Sequence, residues 1–387
     1  MKIGIDARTL SYEYTGIPTY VHDVIKVWNE EENDNEYYLY SNRNFELDFD
    51  LKSNWHVVID KYKYGGRWAI TRIPNLLKRD GIDAYWEPMN FLPRRIKGVK
   101  YYVTVHDLAV YLFPQFGTLT DALLERMFLK RSCEKADRII TISESTKEDI
   151  KKHLGIDEEK ISVIYNGDSC YAFSSPTYTA AEEKEILDKW NLTKNNYLLY
   201  VGTIEPRKNV NTLIEAYEYL RENGFFNGKL VMAGKRGWKS SKTMESRYSS
   251  KYRMDMAMTG YITDIEKECL YRNAACFAFP SLYEGFGFPL VEAMSVGIPV
   301  VTSKVSSLPE VGGDVPFYVE EGRLTDKIAV AEKLKEALAI KGEEKELLQK
   351  NSYKRASLFN RNNTARDLER IIAGYDNGKN SDCRACI

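Results

Sequence analysis

Two short stretches have residue types and spacings suited to holding a charged ligand. The first is Gly202-Thr203-Ile204-Glu205-Pro206-Arg207-Lys208-Asn209, directly after the apolar run Tyr197 to Val201 and directly before the helical run Asn211 to Arg221. A glycine turn, two adjacent cations and a helix N-terminus with unbonded N–H groups make an anion site. Arg207 offers a planar fork and Lys208 a compact charge, a combination suited to a diphosphate. The alternative is an ordinary solvated turn. The second stretch is Pro280-Ser281-Leu282-Tyr283-Glu284-Gly285-Phe286-Gly287-Phe288-Pro289-Leu290-Val291-Glu292-Ala293-Met294. A strand ends at Pro280, glycines leave room for a ligand to approach backbone N–H groups, and a helix begins near Pro289.

Glu292 then lies about one turn inside that helix, among Leu290, Val291, Ala293 and Met294. Burying an unpaired carboxylate there costs on the order of several kcal/mol, so it needs partners, and the hydroxyls of a ribose diol would serve. Glu284, in the glycine-rich turn, can reach hydroxyls of a second sugar unit. Two alternatives are weighed. Glu292 can pair locally with a lysine while Glu284 faces solvent, or the two can be a glycosidase carboxylate pair. The glycosidase reading leaves Arg207 and Lys208 without a task.

A third candidate is His106-Asp107, just past the apolar run Tyr101 to Val105. A histidine at a strand end is often structural, but a strand end is also where ligands bind in sheets of this kind. Gly16-Ile17-Pro18 marks a helix-entry turn after the first strand. Other patterns fail. Asp48-Phe49-Asp50 spells a metal-binding Asp-x-Asp but follows the polar stretch Ser41 to Glu46 rather than an apolar strand, so no metal is expected. Gly285 and Gly287 begin a dinucleotide pattern whose third glycine position holds Leu290. Walker A, HExxH and GxSxG sequences are all missing. Six scattered cysteines fit a reducing compartment, and the Cys383-Cys386 pair lies in a polar tail without a second pair.

The elements that must position these residues alternate between short β-rich runs and helical stretches. Ile3 to Asp6, Trp55 to Ile59, Tyr101 to Val105, Arg138 to Ile142 and Ile161 to Tyr165 read as strands, with helices at Tyr20 to Trp28 and Asp121 to Ala136. A polar stretch from about Tyr171 to Asn196, around a short helical stretch, reads as a linker. A second series follows at Tyr197 to Val201, Lys229 to Ala233, Ala257 to Tyr261, Cys276 to Pro280, Pro299 to Thr302 and Phe317 to Val319. Both halves are α/β with right-handed βαβ units on mostly parallel sheets. The expected domains are 1–180 and 195–365, with 366–387 a helix end and polar tail that can return to the first domain. The 387 residues suit two such domains, and 55 basic against 56 acidic residues leave a formal charge of −1, which argues against a nucleic-acid partner. The charged start and the shortage of long apolar runs point to a cytoplasmic protein. Basic residues interleaved with aromatics at Lys61 to Trp68, and the basic run Arg94 to Lys97, are compatible with peripheral contact with an anionic membrane or with a lipid diphosphate.

These two motifs, with the trailing Ser306-Ser307-Leu308-Pro309-Glu310-Val311, resemble glycosyltransferase family 4, which has the GT-B fold of two Rossmann-like domains facing across a cleft and retains anomeric configuration. Glu284 and Glu292, with seven residues between them in a Gly-Phe-Gly-Phe-Pro setting, match that family's signature. The likeness extends to Gly16, to Val103-Thr104-Val105-His106-Asp107 and to Thr141-Ile142-Ser143-Glu144-Ser145. It implies that Arg207 and Lys208, beside Gly202, hold a donor diphosphate, that Glu292 takes the nucleotide ribose and that Glu284 takes the transferred sugar. Gly285, Phe286, Gly287 and Phe288 would contact phosphates or sugar through their backbone, and Ser307 to Val311, with Leu308, would line the nucleotide. His106 would sit near the sugar's 6-hydroxyl, and the Gly16 turn would let a loop approach donor and acceptor. The implied partners are a nucleotide-sugar donor and a glycan or lipid-linked acceptor, with no cofactor. GDP-mannose ranks ahead of UDP- and dTDP-sugars, because family members with similar Val-His-Asp-Leu and Gly-Ile-Pro segments are often mannosyltransferases of surface polysaccharide assembly. A nucleotide-sugar epimerase of similar fold and a catalytically silent nucleotide-sugar-binding protein are the alternatives.

Overall fold

Runs of Ile, Val, Leu and Tyr with both faces covered favour parallel strands, and thirteen form among the described residues. The structure is a computed structural model that describes residues 1–12, 16–167 and 175–374. Cys170, Cys383 and Cys386 therefore lie outside the described residues. The first seven strands are β1 (Lys2–Asp6), β2 (Glu36–Ser41), β3 (Trp55–Ile59), β4 (Ala84–Glu87), β5 (Lys100–Val105), β6 (Arg138–Thr141) and β7 (Ile161–Val163), in the order β3-β2-β1-β4-β5-β6-β7. The second sheet holds β8 (Tyr197–Val201), β9 (Lys229–Ala233), β10 (Met256–Gly260), β11 (Cys276–Phe279), β12 (Val300–Ser303) and β13 (Phe317–Val319), in the order β10-β9-β8-β11-β12-β13. All registered pairs are parallel.

Strand order reverses between β1 and β4 in one sheet and between β8 and β11 in the other. Helices leave such a point toward opposite faces, which opens a crevice at the carboxyl ends of the two strands. The loop after β8 contains Arg207 and Lys208, and the loop after β11 contains Glu284. The loop after β1 leads to Gly16.

Two strands, β2 and β4, escape a reading based on β-branched residues, because they are built from Glu-Tyr-Tyr-Leu-Tyr-Ser and Ala-Tyr-Trp-Glu. Their rings are buried while their polar tips find partners, as such amphipathic rings require. Tyr40 donates to Asp80 at 2.9 Å, Tyr37 to Glu369, and the Trp86 indole to Thr104 at 2.9 Å.

The chain divides into two compact units. The first comprises Met1–Pro114, Thr118–Gly167 and the segment from Phe359 onward; the second takes in Gln115–Gly117 and the chain up to Leu358. Both changeovers fall earlier than the composition suggested. The short helical stretch expected within the linker is the helix Ala180–Lys189, started by a Thr179–Glu182 capping box. Lys189 meets Glu266 at 2.6 Å and Asn273 donates to Glu183 at 3.2 Å, which ties that helix to the second unit. At the other end, the helix Arg361–Ala373 buries Thr364, Ala365, Leu368 and Ile372 in the first unit. The Trp28 indole donates to the Ala365 carbonyl at 2.7 Å, so its return is fixed by a buried hydrogen bond as well as by apolar contact.

Beside the first unit's reversal point lies a buried cluster of two carboxylates and one guanidinium. Arg8 donates through Nε to Asp6 at 2.7 and 2.8 Å and lies 3.7 Å from Glu87, while Tyr85 donates toward both acids. One cation cannot neutralise two buried carboxylates. Burial and the neighbouring Asp6 accordingly push the Glu87 carboxyl well above its ordinary value, against the pull of Arg8. The folded chain thus keeps a proton that the unfolded chain releases above about pH 4.5. Stability from this group is complete below that pH and declines as the pH rises through the folded value. Glu87→Gln, a neutral isostere, is expected to flatten that decline. Urea unfolding of both proteins between pH 5 and pH 8 checks it, and identical pH profiles would count against a protonated Glu87.

Candidate functional site

In the second unit, β8 ends at Val201 and Gly202 turns with φ of 146°, a backbone closed to ordinary side chains. Gly202 N–H bonds to the Ala233 carbonyl and Ile204 N–H to the Lys235 carbonyl, both at 2.9 Å, so the turn is held by the end of β9. Pro206–Lys208 then forms a 3-10 turn, and Asn209 reverses into the helix Val210–Glu222 through a left-handed conformation with φ of 56°. Asn209 is buried, its amide donating to the Leu324 carbonyl at 2.7 Å. This anchoring places Arg207 and Lys208 side by side at the mouth of the reversal point.

The cations do not wait in solvent. Arg207 donates to Glu284 at 3.0 Å, to the Tyr283 carbonyl at 2.9 Å and to Glu205 at 2.9 Å. Lys208 donates to the other oxygen of Glu284 at 2.6 Å and lies 5.1 Å above the Phe279 ring. The side chains are 18% exposed for Arg207, 12% for Lys208 and 7% for Glu284, so solvent screens these charges weakly. Burial alone would raise the Glu284 carboxyl, but Lys208 and Arg207 outweigh it and hold it below its ordinary value. Burial lowers the Lys208 ammonium, and Glu284 offsets only part of that. One backbone bond joins the two loops directly, from Leu282 N–H to the Arg207 carbonyl at 2.8 Å.

The helix Phe288–Ser295 follows Gly287, whose φ of 101° and 2.8 Å distance from an added Cβ to Leu308 both exclude a side chain. Leu308 is fully buried beneath that glycine, so it supports the loop from below. Gly285 and Phe286 are buried as well, and the Phe286 ring meets Phe288 edge to face at 5.3 Å. Glu292, 7% exposed, receives Lys267 at 2.7 Å on one oxygen and the Tyr271 hydroxyl at 2.8 Å on the other. Lys267 and Tyr271 share one face of the helix Asp264–Asn273 at i,i+4 spacing. Each carboxylate oxygen keeps further acceptor capacity. The lysine partner weighed for Glu292 is present, then, together with a tyrosine that no motif pointed to.

His106 and Gly16 belong to the first unit. His106 follows β5, and its Nε2 lies 2.8 Å from the Pro88 carbonyl. A carbonyl only accepts, so Nε2 carries the proton and Nδ1 is left as an acceptor. Burial lowers the ring's affinity for a second proton, which keeps it neutral. Tyr20 packs edge to face on His106 at 5.3 Å from the helix Ile17–Glu30, which Gly16 caps with φ of 62°. Asp107 is engaged by the Ala109 N–H at 2.8 Å. Asp48 pairs with His22 at 2.7 Å and Lys26 at 3.5 Å. Arg43, Lys61 and Lys63 line a concavity of about 470 Å³ with Asn42, Asn44 and Tyr62, whereas Arg95 turns to Asp137 at 2.7 Å. Among the described residues no helix is long and apolar enough to cross a membrane.

Two family models match, described as Glycosyltransferase Family 4 over residues 14–167 and Glycosyl transferases group 1 over residues 182–355. The chain belongs to glycosyltransferase family 4. This family 4 chain is 32% identical over 237 residues to O-antigen chain mannosyltransferase B of Escherichia coli, which covers 61% of each chain. It is 27% identical over 217 residues to O-antigen chain mannosyltransferase RfbU of Salmonella typhimurium, 56% of each. The matches thus span about three fifths of those relatives. Its fold is the GT-B fold. The structure resembles a glycosyltransferase from Rickettsia africae with a TM-score of 0.73 at 15% identity, covering 97% of this chain and 98% of the other. It also resembles WaaG, a glycosyltransferase involved in lipopolysaccharide biosynthesis, at TM-score 0.73 and 17% identity, covering 97% and 100%.

If Arg207 and Lys208 hold a departing anion, Arg207→Ala and Lys208→Ala are each expected to lower sugar-transfer turnover by about 100-fold or more while the fold survives, since each would remove a charge-assisted contact to it. Single-turnover rates with circular-dichroism melts check this. Near wild-type turnover in either variant would remove that side chain from the anion site.

Proposed function

We propose that this chain is a metal-independent, retaining hexosyltransferase that moves mannose from GDP-mannose to a glycan or lipid-linked acceptor during polysaccharide or glycoconjugate assembly. The observation that supports it most is the convergence of two half-buried cations, Arg207 and Lys208, on the carboxylate of Glu284, with Glu205 also on Arg207, at a strand-order reversal. A diphosphate would compete for Arg207 and Lys208, and release Glu284 to accept sugar hydroxyls. Glu292, steadied by Lys267 and Tyr271, would accept the ribose hydroxyls. Mannose is favoured by the relatives named as O-antigen mannosyltransferases.

Departure of the diphosphate needs positive charge fixed in place beforehand, which Arg207, Lys208 and the N–H groups around Gly285 to Phe288 would supply. The donor phosphate itself would take the proton of the incoming hydroxyl on the same face, so no side chain is assigned as nucleophile or base. His106 would orient a sugar hydroxyl through Nδ1. The basic concavity of Arg43, Lys61 and Lys63 would suit a lipid-linked diphosphate acceptor at the inner face of a membrane.

Activity is expected to survive EDTA, because fixed cations take the place of a metal. Loss on chelation with recovery in Mg²⁺ or Mn²⁺ would overturn that and return attention to Asp48 and Asp50. The product should keep the anomeric configuration of its donor, since a same-face reaction needs no base behind the anomeric carbon. His106→Ala should reduce turnover without changing that outcome. NMR of the glycoside formed from an α-linked donor reads the configuration, and a β product would sink the retaining assignment.

A further inference from the structure

Ser306 and Ser307 stand between β12 and the short helix Leu308–Gly312. Ser306 adopts φ of 46°, a left-handed conformation that costs a non-glycine residue energy, and thereby both hydroxyls are set against one loop. Ser306 Oγ accepts the Glu284 N–H at 2.9 Å. Ser307 Oγ, fully buried, lies 2.9 Å from the Glu284 carbonyl and 3.0 Å from the Phe286 carbonyl, its one proton shared between them.

In a trans peptide the C=O and the following N–H point in opposite directions. Drawing the carbonyls of residues 284 and 286 toward Ser307 therefore turns the N–H groups of Gly285 and Gly287 away from it. Both glycines are buried, and neither N–H has an acceptor among the described residues. A buried amide without an acceptor is costly and rare, so two in one loop mark donors held for a ligand.

We propose that Ser307 is a positioning residue: its hydroxyl fixes the orientation of two peptide planes so that Gly285 and Gly287 present their N–H groups to the phosphates of a nucleoside diphosphate. This rests on the nucleotide-donor reading above. Ser307 touches no ligand itself and acts through the backbone of residues 284 to 287. The phosphates depend on it; the nucleoside, assigned to Glu292, does not.

The test compares diphosphate with nucleoside binding. GDP, UDP and dTDP are titrated by calorimetry against wild type, and the tightest is carried forward with its matching nucleoside, followed by ligand-observed NMR. Ser307→Ala should bind the diphosphate about tenfold more weakly with nucleoside affinity unchanged, and Ser307→Thr, which keeps the hydroxyl, should stay within about threefold of wild type. Undiminished diphosphate affinity in Ser307→Ala, or equal loss of both ligands, overturns the assignment. Should Ser307→Ala fail to fold, Ser307→Cys takes its place: its weak S–H donor leaves both carbonyls poorly held, and it should weaken the diphosphate selectively. An unchanged preference there overturns the assignment as well. Wild type binding none of the three diphosphates is a different failure, and takes the nucleotide-donor reading down with it.

Discussion

Arg207, Lys208, Glu205 and Glu284 bring two positive and two negative charges into a space that solvent scarcely reaches, and the second unit is arranged around keeping them matched. Buried charges are tolerated only when compensated, so each loop must hold its charge where the other can meet it. The Gly202 turn, the left-handed Asn209 and the bond from Leu282 to Arg207 all serve that placement. An arriving anion upsets the balance. On the proposed reading, the cations would turn toward it only as the carboxylates gave way, so anion capture and release of Glu284 would be one event rather than two.

The two units solve the same topological problem with different chemistry. At the β8/β11 reversal the charges balance, and the neighbouring amides of Gly285 and Gly287 have no acceptor among the described residues. At the β1/β4 reversal, Asp6 and Glu87 share Arg8, and the excess negative charge raises the proton affinity of Glu87. Glu87 precedes Pro88, whose carbonyl fixes the His106 tautomer, so the acid cluster and the imidazole are joined through one residue of backbone. Strands supply rigid ends in both cases, and what differs is which side chains stand on them.

Much of this was legible from residue order. Glycine beside paired cations, and two glutamates with seven residues between them around Gly-Phe-Gly-Phe-Pro, named the loops that do come together as Arg207, Lys208 and Glu284. Periodicity found eleven of the strands but passed over Glu36–Ser41 and Ala84–Glu87, whose tyrosines are buried only because distant partners such as Asp80 and Glu369 receive their hydroxyls. Lys267 and Tyr271 gave no motif, since their meaning depends on a helix packing beside Glu292. Ser307 lay inside a recognised segment, yet its hydroxyl turns toward backbone carbonyls that only the folded loop gathers. Contacts made by main-chain atoms leave little trace in side-chain patterns.

The helix Arg361–Ala373 completes the core of the first unit with Ala365, Leu368 and Ile372, packed with Ile3, Ile5 and Trp28. During synthesis, Gly167 emerges long before Arg361. At about 5–20 residues per second, the wait is on the order of ten to forty seconds. Throughout that interval the nascent first unit exposes the apolar groove this helix will fill. The second unit has no such debt and can fold as soon as Leu358 is out. The half of the protein made first is therefore the half that finishes last, and it is the one for which chaperones would have to stand guard.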